Sequence, residues 1–404
     1  MAVQKDGLTQ RLAEFALSLH YEDIPPPVVE RTKQLFLDFL GVACGGKAVA
    51  DSSGPVLRAV RGLGKGQPGS ATVMGEAKRF PPHYAALLNG TVAHSMDFDD
   101  THRESIMHPG TPLFATLLAL GETNQVSGRE FLRAAISGYE VSCRLGKAHG
   151  EEVHKRGFHP TATTGVFGAT AGGACLLGLP VETLLNAWGL NLSQAAGSLQ
   201  FLENGAWNKR VHTGMAAHHA IVALALAREG VIGAADPLEG RFGYYRSYAQ
   251  GPWDLASALR GLGQEYEVMR TAVKPYPCCR YNHSVIDGVL SLVREHRLAP
   301  EDVVEIEVGL NKVSMATVAE PQAPKRDPQN VVDGQFSVYY AAAIALLEKG
   351  YTWESYNRLR NPGVREVMAR TRAVECPMPG LGARVAITTR QGERLVKEVP
   401  LAKG

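Results

Sequence analysis

The chain has 404 residues, of which 45% are hydrophobic and 20% are charged, so its composition is that of a globular protein with more residues than one core usually holds. Its formal net charge is only +2, and the lysines and arginines are scattered along the sequence, which argues against nucleic acid as a partner. No apolar run is long enough to span a membrane and no signal peptide precedes the first helix, so we expect a cytoplasmic protein with no membrane partner.

The six cysteines are not spaced for a metal site or a disulfide framework. None of them forms the C-x-x-C pair that is typical of zinc sites. An iron–sulfur cluster takes three or four thiolates, commonly with two in that same spacing. The sequence therefore argues against a zinc protein, a disulfide-rich domain and an iron–sulfur enzyme.

From Thr9 to about Gly230, apolar residues recur at helical spacing and the connections are rich in glycine and proline. Ser127 and Glu130 form the pattern of a capping box at the start of one helix. The predicted helices cover Leu8–Leu19, Pro27–Leu40, Pro82–His94, Thr111–Gln125, Arg129–Lys147, Thr161–Leu177, Val181–Leu192 and Gly214–Arg228.

After about Gly263 the pattern changes to a mixture of strands and helices. Alternation of apolar and polar residues predicts strands, and the intervening segments have helical spacing. The strands are Val303–Leu310, Ala383–Thr389 and Arg394–Pro400, and the helices are Ser284–His296, Gln335–Leu347 and Asn361–Ala369. Pro321–Asp327 is predicted to be an exposed loop. The sequence thus predicts a mainly α protein, with a large all-helical domain over residues 1–262 and a smaller α+β domain over 263–404.

Ten of the thirteen histidines lie between His83 and His219, and the densest group of polar residues follows the helix that ends at His94. This first cluster contains Asp97, Asp99, Asp100, Thr101, His102 and His108. Three interpretations stay open from the residues alone. The carboxylates and imidazoles could bind a divalent metal, could transfer protons, or could cap the following turn and pair with Arg103.

Two further clusters combine histidine with cations. His159 precedes the helix that begins near Thr161, and a helix N-terminus beside a histidine is suited to a carboxylate. Lys209, Arg210 and His212 precede the next apolar helix, where they could also form no more than a solvated basic loop.

The fourth cluster runs from Lys274 to His283. Two prolines restrict the backbone of this segment, which also carries Cys278, Cys279 and Arg280. Together, the clusters supply cations for carboxylates and imidazoles for proton transfer near neutral pH. No phosphate-binding loop, dinucleotide fingerprint or nucleophile motif is present.

The order and separation of these clusters resemble those of the MmgE/PrpD superfamily, which includes 2-methylcitrate dehydratase, cis-aconitate decarboxylase and iminodisuccinate epimerase. The resemblance covers nearly the whole chain and rests on several motifs together. They are the segment from Asn89 to Thr101 with His108-Pro109, Gly157-Phe-His-Pro-Thr161, Lys209-Arg-Val-His-Thr-Gly214, Lys274-Pro-Tyr-Pro-Cys-Cys-Arg280 with His283, and Gly334-Gln-Phe-Ser337.

The resemblance implies a large helical domain, an α+β lid, an active site in the cleft and a homodimer. It also implies helices after the last strand that return to the helical domain; we expect this chain to lack them and part of an apolar surface to be exposed. Cys279 occupies a place that some relatives fill with histidine. The implied catalytic residues are Asp97, His108, His159 and Lys209, and the implied substrate-binding residues are Thr101, Lys274, Cys279, Arg280 and His283.

The function predicted from this resemblance is dehydration of a small hydroxy-polycarboxylate similar to 2-methylcitrate. His159 would transfer a proton, Asp97 would orient or transfer a second one, and lysine and arginine would hold the carboxylates. We expect no metal and no other cofactor, because these cations would stabilise the intermediate. Epimerisation or decarboxylation through the same carbanion is an alternative, and a helical binding protein without catalysis is an alternative of another class.

Overall fold

The computed structural model describes residues 7–404, which form two compact units. The first unit contains residues 7–200 and 207–273, and the second contains 201–206 and 274–404. Helices account for 59% of the structure and strands for 9%, which confirms the prediction of a mainly α protein with a smaller α+β part. In the described part of the chain, no helix has both the length and the apolar character needed to cross a membrane.

The first unit is built from twelve helices within its described residues. They are α1 (Leu8–Ser18), α2 (Pro26–Val49), α3 (Ser53–Leu63), α4 (Pro82–His94), α5 (Gly110–Asn124), α6 (Gly128–His149), α7 (Glu152–Lys155), α8 (Pro160–Thr163), α9 (Gly165–Leu176), α10 (Val181–Leu192), α11 (Asn208–Arg228) and α12 (Leu255–Leu259). The predicted capping box is present, since Ser127 Oγ accepts from the Glu130 amide and the Glu130 carboxylate accepts from the Ser127 amide. Helix α3 was not predicted.

Helices α4 and α11 approach each other closely because both have glycine at the crossing point. A Cβ on Gly90 would lie 2.9 Å from the Gly214 Cα, and a Cβ on Gly214 would lie 2.2 Å from the Leu87 carbonyl oxygen. Helix α11 begins at Asn208, six residues earlier than predicted. Lys209 and Arg210 are therefore buried in its first turn, and the solvated-loop interpretation of this segment is wrong.

A short two-stranded sheet also belongs to the first unit. Strand β1 (Thr101–His102) pairs antiparallel with β2 (Thr271–Ala272). This pairing explains why residues 263–273 belong to the first unit, although the sequence pattern predicts the domain boundary at 262–263. The residues after β2 begin the second unit.

The second unit contains a four-stranded sheet with helices packed against it. The sheet order is β4 (Thr371–Glu375), β3 (Val303–Leu310), β5 (Ala383–Thr389) and β6 (Arg394–Val399), with only the β3–β4 pair parallel. Its helices are α13 (His283–His296), α14 (Lys312–Ser314), α15 (Gln322–Arg326), α16 (Val331–Gln335), α17 (Val338–Glu348) and α18 (Pro362–Ala369). The three predicted strands are present, whereas β4 was not predicted.

Two local predictions for the second unit were wrong. Pro321–Asp327 is largely exposed, as predicted, but it is not a loop, because Gln322–Arg326 forms helix α15, and Lys325 within it is buried. The predicted helix from Gln335 is divided, because Ser337 caps α17 by accepting a hydrogen bond from the Tyr340 amide.

The short segment 201–206 joins the second unit although the first unit flanks it on both sides. The rings of Phe201 and Phe336 lie 6.0 Å apart between centroids. Gly205 has a φ of +64°, and a Cβ there would lie within 2.5 Å of Asn330 and Asp333 side-chain atoms. Glycine is therefore required for the close approach as well as for the backbone conformation.

Candidate active site

Four histidines converge in the first unit, although they come from distant parts of the sequence. The His94 ring centroid lies 4.6 Å from that of His108 and 5.7 Å from that of His159. His159 Nδ1 lies 3.2 Å from His212 Nδ1, within hydrogen-bond distance. His94 ends α4, His108 lies just before α5, His159 precedes α8 and His212 lies in α11.

Asp97 and Lys209 form a buried ion pair beside these imidazoles. Lys209 Nζ donates to Asp97 Oδ1 over 2.7 Å, and the same oxygen lies 3.7 Å from His108 Nε2. Asp97 has a φ of 51°, a left-handed conformation that aspartate adopts more readily than most residues. The turn after α4 and the first turn of α11 thus bring a carboxylate, an ammonium and an imidazole together.

Asp99 organises the other side of the histidine group. Its Oδ2 accepts hydrogen bonds from His94 Nδ1 at 2.8 Å and from Thr111 Oγ1 at 2.5 Å, and it lies 3.3 Å from His108 Nδ1. Burial alone would raise the pKa of Asp99, but the His108 and His94 imidazoles hold it well below its usual value. Asp99 is therefore an anion that fixes the orientation of His94.

Three of these imidazoles, those of His94, His159 and the partly buried His212, have a pKa lowered enough to be neutral at pH 7. Burial lowers the pKa of His94 to about 4 and, with His94 and Lys209 nearby, that of His212 to about 4. Burial, the Lys209 ammonium and His212 hold the pKa of His159 well below 6.5. A neutral imidazole has a free nitrogen lone pair, so His159 and its neighbours are suited to accept a proton.

Among residues 7–404, the Asp100 carboxyl forms hydrogen bonds not with the histidines but with groups in α6 and at the start of α5. Its carboxyl accepts from the Tyr139 hydroxyl at 2.6 Å and from the Gly110 amide at 3.0 Å. Burial raises the pKa of Asp100 to about 8. Thr101 follows in β1 and is buried. Asp99 and Asp100 together anchor the N-terminus of α5, which fixes the segment that carries His108.

The predicted substrate-binding residues of the second unit lie on one short segment, which runs from Lys274 to His283 at the start of α13. Lys274 Nζ donates to the Cys278 carbonyl oxygen over 3.0 Å, and Cys279 is buried next to it in the sequence. Arg280 Nη1 donates to His283 Nδ1 over 2.9 Å, and His283 Nε2 lies 3.2 Å from the Cys278 carbonyl oxygen. Both ring nitrogens of His283 thus contact this segment of the chain, and its predicted role in substrate binding stays a prediction.

The structure brings the four predicted catalytic residues together within the first unit, and their catalytic roles stay predictions. They are Asp97, His108, His159 and Lys209. Sequence reasoning did not select His94 or His212. His94 was part of the first motif and His212 of the third, but their contacts with Asp99 and His159 depend on how the helices pack.

The same group of residues has the composition of a metal site. Ligand atoms of His94, Asp97, Asp99 and His108 all lie within 4.8 Å of one another, and two imidazoles with two carboxylates suit zinc or another first-row metal. However, the Lys209 ammonium already bonds to Asp97, and a bound cation would be repelled by it. The charge of Lys209 therefore disfavours a cation at this position.

Comparisons with known proteins identify the family of this chain. The MmgE/PrpD N-terminal domain matches residues 10–256, and the MmgE/PrpD C-terminal domain matches residues 276–404. The chain is 28% identical to the cis-aconitate decarboxylase-like protein oryM of Aspergillus oryzae, over 98% of this chain and 87% of the relative.

Two further relatives are named as cis-aconitate decarboxylases, which are lyases. The chain is 28% identical to the protein of Aspergillus terreus, over 85% of this chain and 73% of the relative. It is 28% identical to the human protein, over 90% of this chain and 76% of the relative. Since the two family domains together cover nearly the whole chain, the resemblance found in the sequence is confirmed, and the chain belongs to the MmgE/PrpD family.

Proposed function

We propose that this protein is a lyase that acts on a small polycarboxylate through a carbanion next to a carboxylate group. The observation that carries this proposal is the neutral, buried His159 beside the Asp97–Lys209 ion pair. A base and a fixed cation are the two groups that such a reaction needs. The imidazole moves the proton, and the ammonium stabilises the negative charge that develops.

Dehydration is the first reaction that we propose for this site, as the family resemblance in the sequence suggests. In this reaction a base removes the proton next to the carboxylate, and an acid protonates the hydroxyl group, which leaves as water. We propose that His159, whose pKa is held well below 6.5, is the base, and that His108, which lies near Asp97 and Asp99, is the acid that protonates the hydroxyl group. The proposed substrate is therefore a hydroxy-polycarboxylate similar to 2-methylcitrate.

Decarboxylation is the second candidate, because the three relatives are named as cis-aconitate decarboxylases or as similar to one. In that reaction the bond to a carboxylate breaks, carbon dioxide leaves, and an imidazole protonates the remaining carbanion. The two reactions share the intermediate and its stabilising cations, so identities of 28% do not choose between them. Epimerisation would reprotonate the same carbanion on its other face.

The deciding experiment is proton NMR in deuterium oxide with citrate, 2-methylcitrate, cis-aconitate and substituted succinates. Loss of water establishes dehydration, and loss of carbon dioxide from cis-aconitate establishes decarboxylation. Deuterium exchange or inversion without either loss assigns an epimerase. No change in any substrate would contradict the proposal and favour a binding protein without catalysis.

The same assay tests the cofactor prediction. We expect turnover to survive thorough chelation, because Lys209 and not a metal would stabilise the intermediate. Activity that disappears on chelation and returns with one metal ion would instead assign the His94, Asp97, Asp99 and His108 group to metal binding. A homodimeric assembly remains a proposal from the family resemblance, and a cytoplasmic location remains a proposal from the sequence pattern.

A further inference from the structure

A cavity of about 490 Å³ lies within the second unit. Its walls come from the 201–206 segment and from the stretch that runs from α15 to Phe336. Phe201, Val332 and Phe336 are buried and make part of the wall apolar. Amide side chains, including that of Asn330, line other parts. The volume and the mixture of apolar and polar groups suit a small organic molecule.

Lys325 is the single cation among the described residues that line this cavity. Only 6% of its surface is exposed, although a lysine is rarely buried without a partner. Among residues 7–404, Cys279, Asp333 and Glu203 act on its charge through space, without a hydrogen bond to the ammonium. Its contact with the Phe336 ring is a cation–π interaction, with Nζ 5.7 Å from the ring centroid.

The carboxylates of the wall do not neutralise this ammonium by direct contact. Asp333 accepts hydrogen bonds from the Gln329 amide at 2.9 Å and from Asn330 Nδ2 at 3.0 Å. Asp327 is paired with Arg365. Glu203 is exposed to solvent.

A buried charge without a partner lowers the stability of a protein, and either loss of its proton or a bound counter-ion removes that cost. Burial lowers the pKa of Lys325, which agrees with an ammonium that has poor charge compensation. A carboxylate inside the cavity would supply the missing partner.

We propose that the second unit contains a binding site for a small monocarboxylate, in which Lys325 holds the carboxylate and the apolar wall holds the rest of the molecule. This site goes beyond the proposed lyase activity. The ligand has one negative charge because Glu203, Asp327 and Asp333 all line the same cavity and repel a second one. The proposed monocarboxylate ligand thus belongs to a different chemical class from the polycarboxylate substrate of the proposed lyase reaction.

Benzoate is a suitable probe, because it joins one carboxylate to an aromatic ring. Isothermal titration calorimetry on the full chain should detect one benzoate per chain, whereas neutral benzamide should bind at least about ten-fold more weakly. Lys325→Met should weaken benzoate binding by about ten-fold or more, and Lys325→Arg should retain it because the charge is kept.

A second variant tests the cavity without changing the charge. Ala323 lines the cavity and is exposed on α15, so Ala323→Trp should fold normally, fill the cavity and abolish benzoate binding. Each variant is first compared with the parent chain by thermal unfolding. Benzoate affinity that is unchanged in Lys325→Met, or in a folded Ala323→Trp, would overturn the proposal, as would equal affinity for benzamide.

Discussion

At His159, burial and a neighbouring ammonium act in the same direction, since both keep the imidazole neutral. Replacing His159 by Gln retains a polar side chain but removes the base. We expect kcat/KM to fall by about 100-fold or more, the range observed when a general acid–base residue is lost. His219→Gln is the matched control, because His219 lies in α11 and is only partly buried. Full turnover in His159→Gln would contradict the assigned role.

The low pKa of His159 also predicts how kcat/KM depends on pH. Because the pKa of His159 lies well below 6.5, its imidazole stays neutral as the pH falls through 6.5, and activity should be retained there. The acidic limb of the kcat/KM profile, which reports the free enzyme, should therefore lie below pH 6.5. A limb at or above that pH would show that a different group, or a charged His159, controls the reaction.

The sequence motifs predicted which side chains gather at the candidate site, while the catalytic roles of these side chains stay predictions. The motifs select Asp97, His108, His159 and Lys209, and the structure places these four side chains together. His212 was not selected, because a helix position shows neither which way a ring faces nor that it meets His159.

Helices α4 and α11 position the ion pair of the site, and the two glycines at their crossing allow it. A Cβ at Gly214 would lie 2.2 Å from the Leu87 carbonyl oxygen, so the helices must separate in Gly214→Ala. We expect the free energy of unfolding to fall by about 1 to 3 kcal/mol and kcat/KM to fall as well, because Lys209 moves with α11.

The control for this substitution is Gly41→Ala in α2, where nothing lies within 4 Å of an added Cβ. That change should raise the free energy of unfolding by roughly 0.5 to 1 kcal/mol through helix propensity. Urea unfolding measures both variants. Equal effects at the two positions would show that close helix packing is not the cause.

Glu267 links β1 to α6, because its carboxylate accepts hydrogen bonds from His102 in β1 and from Lys147 in α6. Burial alone would raise the pKa of Glu267, but these two partners lower it to about 2. The ionised carboxylate therefore stabilises the fold above pH 4.5, and this stabilisation is lost as the pH falls toward 2. Glu267→Gln should cost up to about 2 kcal/mol at pH 7, and much less near pH 3.

Urea unfolding at the two pH values tests this expectation. Glu265→Gln serves as the control, because Glu265 lies two residues away but is exposed in its ion pair with Arg270. A cost of Glu267→Gln that is equal at both pH values would mean that the carboxylate is not the stabilising group.

Most long periodic elements were predicted, with the eleven-residue helix α3 as the exception, whereas most short elements were not. Helix α15 has five residues, and Ser337 supports it from outside by donating to the Lys325 carbonyl oxygen. Strand β4 likewise depends on pairing with β3, more than sixty residues away. Such elements depend on contacts that local sequence patterns do not contain.

For the whole molecule, the sequence predicted two parts and the change from a helical pattern to a mixture of strands and helices between them. It did not predict that residues 263–273 join the first unit or that 201–206 join the second. Both assignments come from pairing across long stretches of chain, namely β1 with β2 and Phe201 with Phe336. Composition and periodicity do not report such contacts.

Phe201→Ala tests the unit assignment. Phe201 is 3% exposed and contacts Phe336, so its loss should destabilise the second unit by about 3 kcal/mol. Amide hydrogen exchange should become faster in α16 and α17 and stay unchanged in α4 and α9. Leu202→Ala is the control, since Leu202 is only partly buried. Faster exchange confined to α4 and α9 would contradict the assignment.

The 201–206 segment also limits how the two units can be recombined. The chain passes between units after residues 200, 206 and 273, so a single junction at 273 would transfer residues 274–404 without Phe201 and Gly205. A chimera made with a relative therefore needs two exchanges of sequence, one short and one long. The shorter exchange carries part of the wall around Lys325, so grafting the second unit with one junction would give it a mismatched cavity.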